Sequence, residues 1–214
     1  LDAADGTLRL LCEPEAGKRD NRFNDGKCDP LGRLWAGTMA LDASPGAGSL
    51  YRFDASGACA RVFSKVGISN GLGWTADGRR MFYVDTATGC VEFMSYDPET
   101  GLPGPRKVLR RFEQKEGNPD GLCVDVEDHL WIALWDGSAV LRIDGLSGRT
   151  LEKIFLPVTR PTSCAMAQDG RLFITTARHA LSAEALRIQP EAGAIFMVQT
   201  ETQGRAPTLF ANKS

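Results

Sequence analysis

The stretch Asp120-Gly121-Leu122-Cys123-Val124-Asp125-Val126-Glu127-Asp128-His129-Leu130-Trp131-Ile132-Ala133-Leu134-Trp135-Asp136-Gly137-Ser138 holds two short apolar runs, each closed by a turn signal. Leu122 to Val126 alternates up to a turn at Glu127-Asp128. Leu130 to Leu134 follows and stops at Asp136-Gly137-Ser138. Val140 to Ile143 and Thr150 to Leu156 complete the unit, with a turn through Gly145 and Gly148 between them. Apolar runs of about four to seven residues, bounded by Gly, Asp, Asn and Pro, read as strands and turns.

The same layout occurs four times. It runs from Asn24 to Gly37, from Asn70 to Tyr83, from Asp120 to Ile132 and from Thr162 to Ile174. An aromatic anchors each second strand: Trp35, Phe82, Trp131 and Phe173, at intervals of 47, 49 and 42 residues. Repeats of roughly 40–50 residues built from short strands predict propeller blades of four strands each, hence a single all-β domain. The anchoring aromatics are expected to pack blade against blade. Asp77-Gly78 and Asp169-Gly170 suit tight turns, where glycine accepts a positive φ. The best helical competitor, His179 to Arg187, is limited by Pro190 to one turn inside a loop. A polar residue returns at one phase of every unit, namely Asn24, Asn70, Asp120 and Thr162, each 11 or 12 residues before its aromatic. A repeat protein gathers residues of equal phase, so these side chains are expected to meet at one place.

Charge is nearly balanced, −2 over 214 residues. Nucleic-acid binding needs a basic face, and Arg106-Lys107 with Arg110-Arg111 read as the solvated edge of a strand. No apolar run approaches the ~20 residues of a membrane span. The six cysteines (Cys12, Cys28, Cys59, Cys90, Cys123, Cys164) form no C-x-x-C pair, which argues against a zinc knuckle. They read as reduced and buried, and so predict a cytoplasmic protein. Gly6 to Leu11 reads as a strand that ends a blade, and four full units follow. About four and a half blades do not close a ring. The chain, residues 1–214, is therefore expected to be one propeller domain with an N-terminal blade or blades missing. A compact four-bladed ring with an N-terminal addition is the alternative.

The segment Asn21-Arg22-Phe23-Asn24-Asp25-Gly26-Lys27, with Asp29-Pro30 and Ala36-Gly37-Thr38-Met39, resembles the regucalcin (senescence marker protein) and gluconolactonase family. Ile68-Ser69-Asn70-Gly71-Leu72 with Trp74, Pro119-Asp120-Gly121-Leu122-Cys123, Pro161-Thr162-Ser163-Cys164 and Gln189-Pro190-Glu191-Ala192-Gly193 extend the resemblance, in order, over nearly the whole chain. It implies a six-bladed propeller with a divalent metal in its channel that hydrolyses sugar lactones. It implies that Asn70 and Asp120 are metal ligands, that Asp120 is also the general base, and that Arg22 and Asn24 hold substrate. Asp42 falls where the family has a substrate-contacting glutamate, one methylene longer. The family's third ligand, a glutamate of the first blade, has no counterpart after Leu1.

The residue types point the same way. An amide oxygen and a carboxylate are hard donors that favour Ca²⁺, Mg²⁺ or Mn²⁺, and Zn²⁺ also accepts oxygen. A dication would polarise a lactone carbonyl and acidify water. Asp120 could accept the proton. Arg22 could stabilise an oxyanion or hold sugar hydroxyls, and Asn24 could bond hydroxyls as donor and acceptor. Asp25 is assigned a supporting role, Lys27 support of the turn, and Thr162 channel lining. His129 and His179 have no nucleophile partner in a triad motif. The rival readings are a non-catalytic calcium-binding or interaction propeller and an esterase acting on other esters.

Overall fold

The computed structural model describes residues 6–8 and 10–211, which form four antiparallel sheets set as the blades of a propeller. Blade A holds β1 (Asn21–Cys28), β2 (Leu34–Ala40), β3 (Gly48–Phe53) and β4 (Cys59–Val66). Blade B holds β5 (Ser69–Trp74), β6 (Arg80–Asp85), β7 (Cys90–Asp97), the short β8 (Leu102–Pro103) and β9 (Lys107–Arg111), the last two both pairing with β7. Blade C holds β10 (Asn118–Val124), β11 (Leu130–Trp135), β12 (Ala139–Ile143) and β13 (Thr150–Phe155). Blade D holds β14 (Pro161–Met166), β15 (Arg171–Thr176) and β16 (Ile195–Gln199).

The second strands of blades B and C lie between two neighbouring blades, so both their faces are apolar. In β11, Leu130, Ile132 and Leu134 join the core shared with blade B, while Trp131 and Ala133 join the core shared with blade D. Trp35, Phe82 and Trp131 are fully buried, as expected of blade anchors. Phe173 is only half-buried, with the Arg171 guanidinium over its ring. No further blade packs on its face among the described residues.

The turns form where glycine was expected to reverse the chain. Gly78 and Gly170 take φ of +67° and +84°. Two departures from the sequence reading occur. No strand forms among the described residues of the 6–11 segment, Arg9 lying outside them, and Leu8 and Leu10 are exposed. Apolar alternation there has no partner strand to bury it. The loop after β15 carries α1 (Ala183–Ile188), six residues rather than one turn. The Ser182 side chain caps it by accepting from the Ala185 N–H at 3.1 Å, which offsets the nearby Pro190.

Two loops share a buried carboxylate that was not singled out beforehand as a repeated feature. Asp29 accepts from the Trp35 indole at 3.3 Å, the Arg33 Nε at 2.5 Å and the Tyr96 hydroxyl at 2.5 Å. Asp125 accepts from the Trp131 indole at 3.1 Å and the Arg142 Nε at 2.8 Å. Both also take loop N–H groups and are 0% exposed. The signal is an aspartate six residues before the anchoring tryptophan, in Asp29…Trp35 and again in Asp125…Trp131.

Candidate functional site

The polar phase of the repeat coincides with a break in strand pairing. In β1 the register shifts between Phe23 and Gly26, in β5 between Ser69 and Leu72, in β10 between Pro119 and Leu122, and in β14 between Pro161 and Ser163. The residues left out of the ladder are Asn24 and Asp25, Asn70 and Gly71, Asp120 and Gly121, and Thr162. A bulge re-aims the side chain it carries. Here it does so in all four inner strands at the same level. The candidates thus sit inside the strands, not at turns before them.

Glycine lets these strands crowd together. A Cβ on Gly71 would stand 2.8 Å from the Asp120 carbonyl oxygen, and one on Gly121 would stand 2.8 Å from the Ser163 Cα. Neighbouring inner strands therefore approach backbone to backbone where the polar residues lie.

Asn70, from blade B, and Asp120, from blade C, come close enough that the Asn70 amide acts on the Asp120 carboxylate and favours its charged form. A third residue fixes Asn70. The Thr86 hydroxyl donates to the Pro119 carbonyl at 2.7 Å and accepts from Asn70 Nδ2 at 2.8 Å. Since the single hydroxyl proton is used on Pro119, Thr86 can only accept from Asn70. That directs the amide nitrogen to Thr86 and leaves the amide oxygen free of it. Sequence reading missed Thr86, which lies just past β6 and outside the repeated phase.

Burial raises the Asp120 pKa, and the negative charge of Asp25 raises it further, to about 7. The Gly121 N–H and the Asn70 amide oppose the shift without cancelling it. Asp25 is raised as well, chiefly by burial, against the pull of Lys27 and the Gly26 N–H at 2.7 Å. Lys27 donates to the Leu122 carbonyl at 2.7 Å, crossing from blade A to blade C. Asp25 therefore lies beside Asp120, and Lys27 beside Asp25.

Arg22 donates to Asn24 Oδ1 at 2.8 Å, and Asn24 Nδ2 donates to the Ser69 carbonyl at 2.7 Å. This chain brings Arg22 and Asn24 to the strand that carries Asn70. Arg22 is exposed and Asn24 half-buried. Asp42 stands apart. It lies exposed in the turn after β2, where the Ser44 hydroxyl and N–H donate to its carboxylate at 2.7 and 2.9 Å and hold its pKa down. Thr162 hydrogen-bonds Thr175 at 2.7 Å. Among the described residues, no three His, Cys, Asp or Glu side chains cluster as a metal cage. A cavity of about 650 Å³ opens along the other halves of the inner strands, lined by Asp25, Lys27, Trp74, Cys123, Cys164 and Arg205 among others. Asp25 is the residue that joins this cavity to Asp120.

The family described as the SMP-30/Gluconolactonase/LRE-like region matches residues 1–178. Regucalcin from Sus scrofa is 38% identical over 205 residues, covering 92% of this chain and 69% of that protein. A Bacillus subtilis (strain 168) protein that carries the name of a sugar lactone lactonase, YvrE, is 38% identical over 211 residues, covering 97% and 72%. The crystal structure of a calcium-binding protein, regucalcin, from Agrobacterium tumefaciens superposes with a TM-score of 0.91 at 34% identity, covering 97% of this chain and 71% of that one.

Proposed function

This chain belongs to the SMP-30/gluconolactonase/LRE-like family, and from that premise we propose that it hydrolyses sugar lactones with a divalent cation held by Asn70 and Asp120 and with Asp120 as the proton acceptor. The observation that carries the reading is the approach of Asn70 and Asp120 from separate blades, at a carboxylate whose burial beside Asp25 disfavours its charged form until a cation is bound.

The donor set fits a hard cation. Two carboxylates, Asp120 and Asp25, share the channel with an amide oxygen, and each is raised by burial. The Lys27 ammonium, which favours the charged form of Asp25, donates to the Leu122 carbonyl. A cation placed there would relieve that unfavourable burial. Ca²⁺, Mg²⁺, Mn²⁺ and Zn²⁺ all accept such oxygens. When bound, the ion supplies Lewis acidity that polarises the lactone carbonyl and favours deprotonation of water.

The remaining steps belong to the chain. Asp120 takes the proton of the water that attacks the carbonyl carbon. Asn70, oriented by Thr86, holds the Asp120 carboxylate in place. Arg22, permanently charged, stabilises the oxyanion or grips sugar hydroxyls. Asn24 keeps one amide hydrogen and one lone pair for a hydroxyl, since Arg22 and Ser69 take the others. Asp42 contacts substrate once its carboxylate turns away from Ser44. Asp25 keeps the Asp120 pKa high. One propeller domain is proposed to carry Arg22, Asn24, Asn70 and Asp120, with a small-molecule sugar lactone as partner rather than nucleic acid or membrane. Among the described residues no helix is long and apolar enough to cross a membrane.

Hydrolysis of gluconolactone, followed as acid release with and without chelator, tests this. Asp120→Asn is expected to lower kcat by about 10²–10⁴-fold; an unchanged rate would overturn the mechanism. A second reading, a calcium-binding propeller without catalysis, is favoured by the Agrobacterium relative, whose structure is described as that of a calcium-binding protein. Calcium-dependent stabilisation with no acid release at any pH would select it.

A further inference from the structure

Cys123 on β10 and Cys164 on β14 meet across the interface of blades C and D, with Sγ atoms 3.8 Å apart. The Cys164 thiol also lies 3.1 Å from the Trp131 carbonyl oxygen, to which it donates. Neither is in a disulfide. The two strands are close-packed at this level, as the Gly121 contact with Ser163 shows. Both cysteines line the cavity of about 650 Å³, together with Lys27 and Arg205. A small polar oxidant therefore has a route to sulfurs that are otherwise nearly covered. Cys123 donates its proton to the Cys164 sulfur. Once that proton is lost, Cys164 can turn its own proton from Trp131 to the thiolate, and this contact with the Lys27 ammonium holds the Cys123 thiol below its ordinary range while Cys164 is pushed up. One sulfur is thus prepared as the nucleophile and the other as its proton-bearing partner.

We propose that Cys123 and Cys164 form a redox site that closes to a disulfide when a hydroperoxide enters the cavity. The Cys123 thiolate attacks one peroxide oxygen, the O–O bond breaks, and the hydroxide released is protonated to water. Cys164 sulfur then attacks the sulfenic sulfur of Cys123. The S–S bond forms, and the second oxygen leaves as water with the remaining thiol proton. Two thiols and one hydrogen peroxide become one disulfide and two waters, with both sulfurs oxidised and the peroxide reduced. Side-chain rotation must bring the sulfurs from 3.8 Å to about 2 Å. The bond would tie the inner strands of two blades three residues beyond Asp120. It does not rest on the lactone reading.

The test uses the full chain carrying Cys12→Ser and Cys59→Ser, because those two thiols also interact. After hydrogen peroxide, the expected result is loss of two free thiols and a Cys123–Cys164 linked peptide in a non-reduced digest. A raised melting temperature that dithiothreitol reverses is expected with it. Unchanged thiols, or sulfinic acid on Cys123 without a link, in a chain that still melts cooperatively would overturn the proposal. Adding Cys164→Ser is expected to trap a dimedone-reactive sulfenic acid on Cys123. Equal trapping on Cys164 in the Cys123→Ser chain would overturn the assigned order.

Discussion

Asp120 is the residue on which the proposed chemistry turns, and its raised pKa gives its contribution to stability a definite sign. Its folded pKa, about 7, is above the ordinary 3.8. The folded chain therefore binds more protons than the unfolded one between those values. Stability contributed by this group is present at low pH and falls as pH rises through 7. Asp120→Asn is expected to flatten that part of the stability profile in denaturant titrations run from pH 4 to 8. Asp25→Asn removes a neighbouring negative charge, so the acidic limb of the activity profile should move to lower pH. A limb that stays in place would show that Asp25 does not act on Asp120. Thr86 offers a sharper test of positioning. Thr86→Val keeps the volume but leaves Asn70 Nδ2 without its acceptor. A loss of about 10–100-fold in kcat/KM or in cation affinity is expected, with Thr86→Ser restoring it. Equal behaviour of the valine and serine variants would remove Thr86 from the site.

At the scale of the elements, the bulge in each inner strand does the placing. Asn24, Asn70, Asp120 and Thr162 leave the ladder at one level, so their side chains turn from the sheet toward the channel. The glycines beside them are there because neighbouring strands leave no room for a Cβ. Gly121→Ala would drive a methyl to 2.2 Å from Ser163 Oγ and 2.8 Å from its Cα. A cost of about 1–3 kcal/mol is expected in chemical denaturation, partly recovered by adding Ser163→Ala if the hydroxyl is the main clash. The loop aspartates act on the same scale. Asp125→Ala would strand the Trp131 indole in a covered place and leave Arg142 to Glu127 alone. An unsatisfied buried donor costs about 1–3 kcal/mol, so a thermal melt should separate this variant from a surface control.

Over the whole molecule, the blades cohere through three apolar cores, each shared by two sheets. The segment after β16 adds polar ties across them. Val126 N–H donates to the Gln203 carbonyl at 3.0 Å, Arg205 donates to the Trp74 carbonyl at 3.1 Å, and Ala211 N–H donates to the Gly32 carbonyl at 2.9 Å. A cation bridging Asn70 and Asp120 would join blades B and C in addition. Calcium should therefore raise the melting temperature, and more at pH 8 than at pH 5, because it competes with the proton on Asp120. No shift at either pH would sink the cation site. The amino-acid order by itself determined the blades: apolar runs of strand length and glycine turns recur at a fixed period, and local patterning suffices to specify each sheet. It also marked Asn70 and Asp120, because equal phase in a repeat means equal height in the ring. Thr86, the reach of Lys27 to the Leu122 carbonyl and the Cys123–Cys164 contact were decided by tertiary structure alone. These contacts join groups 16 to 95 residues apart in sequence, and the period of the repeat does not encode which of them face one another.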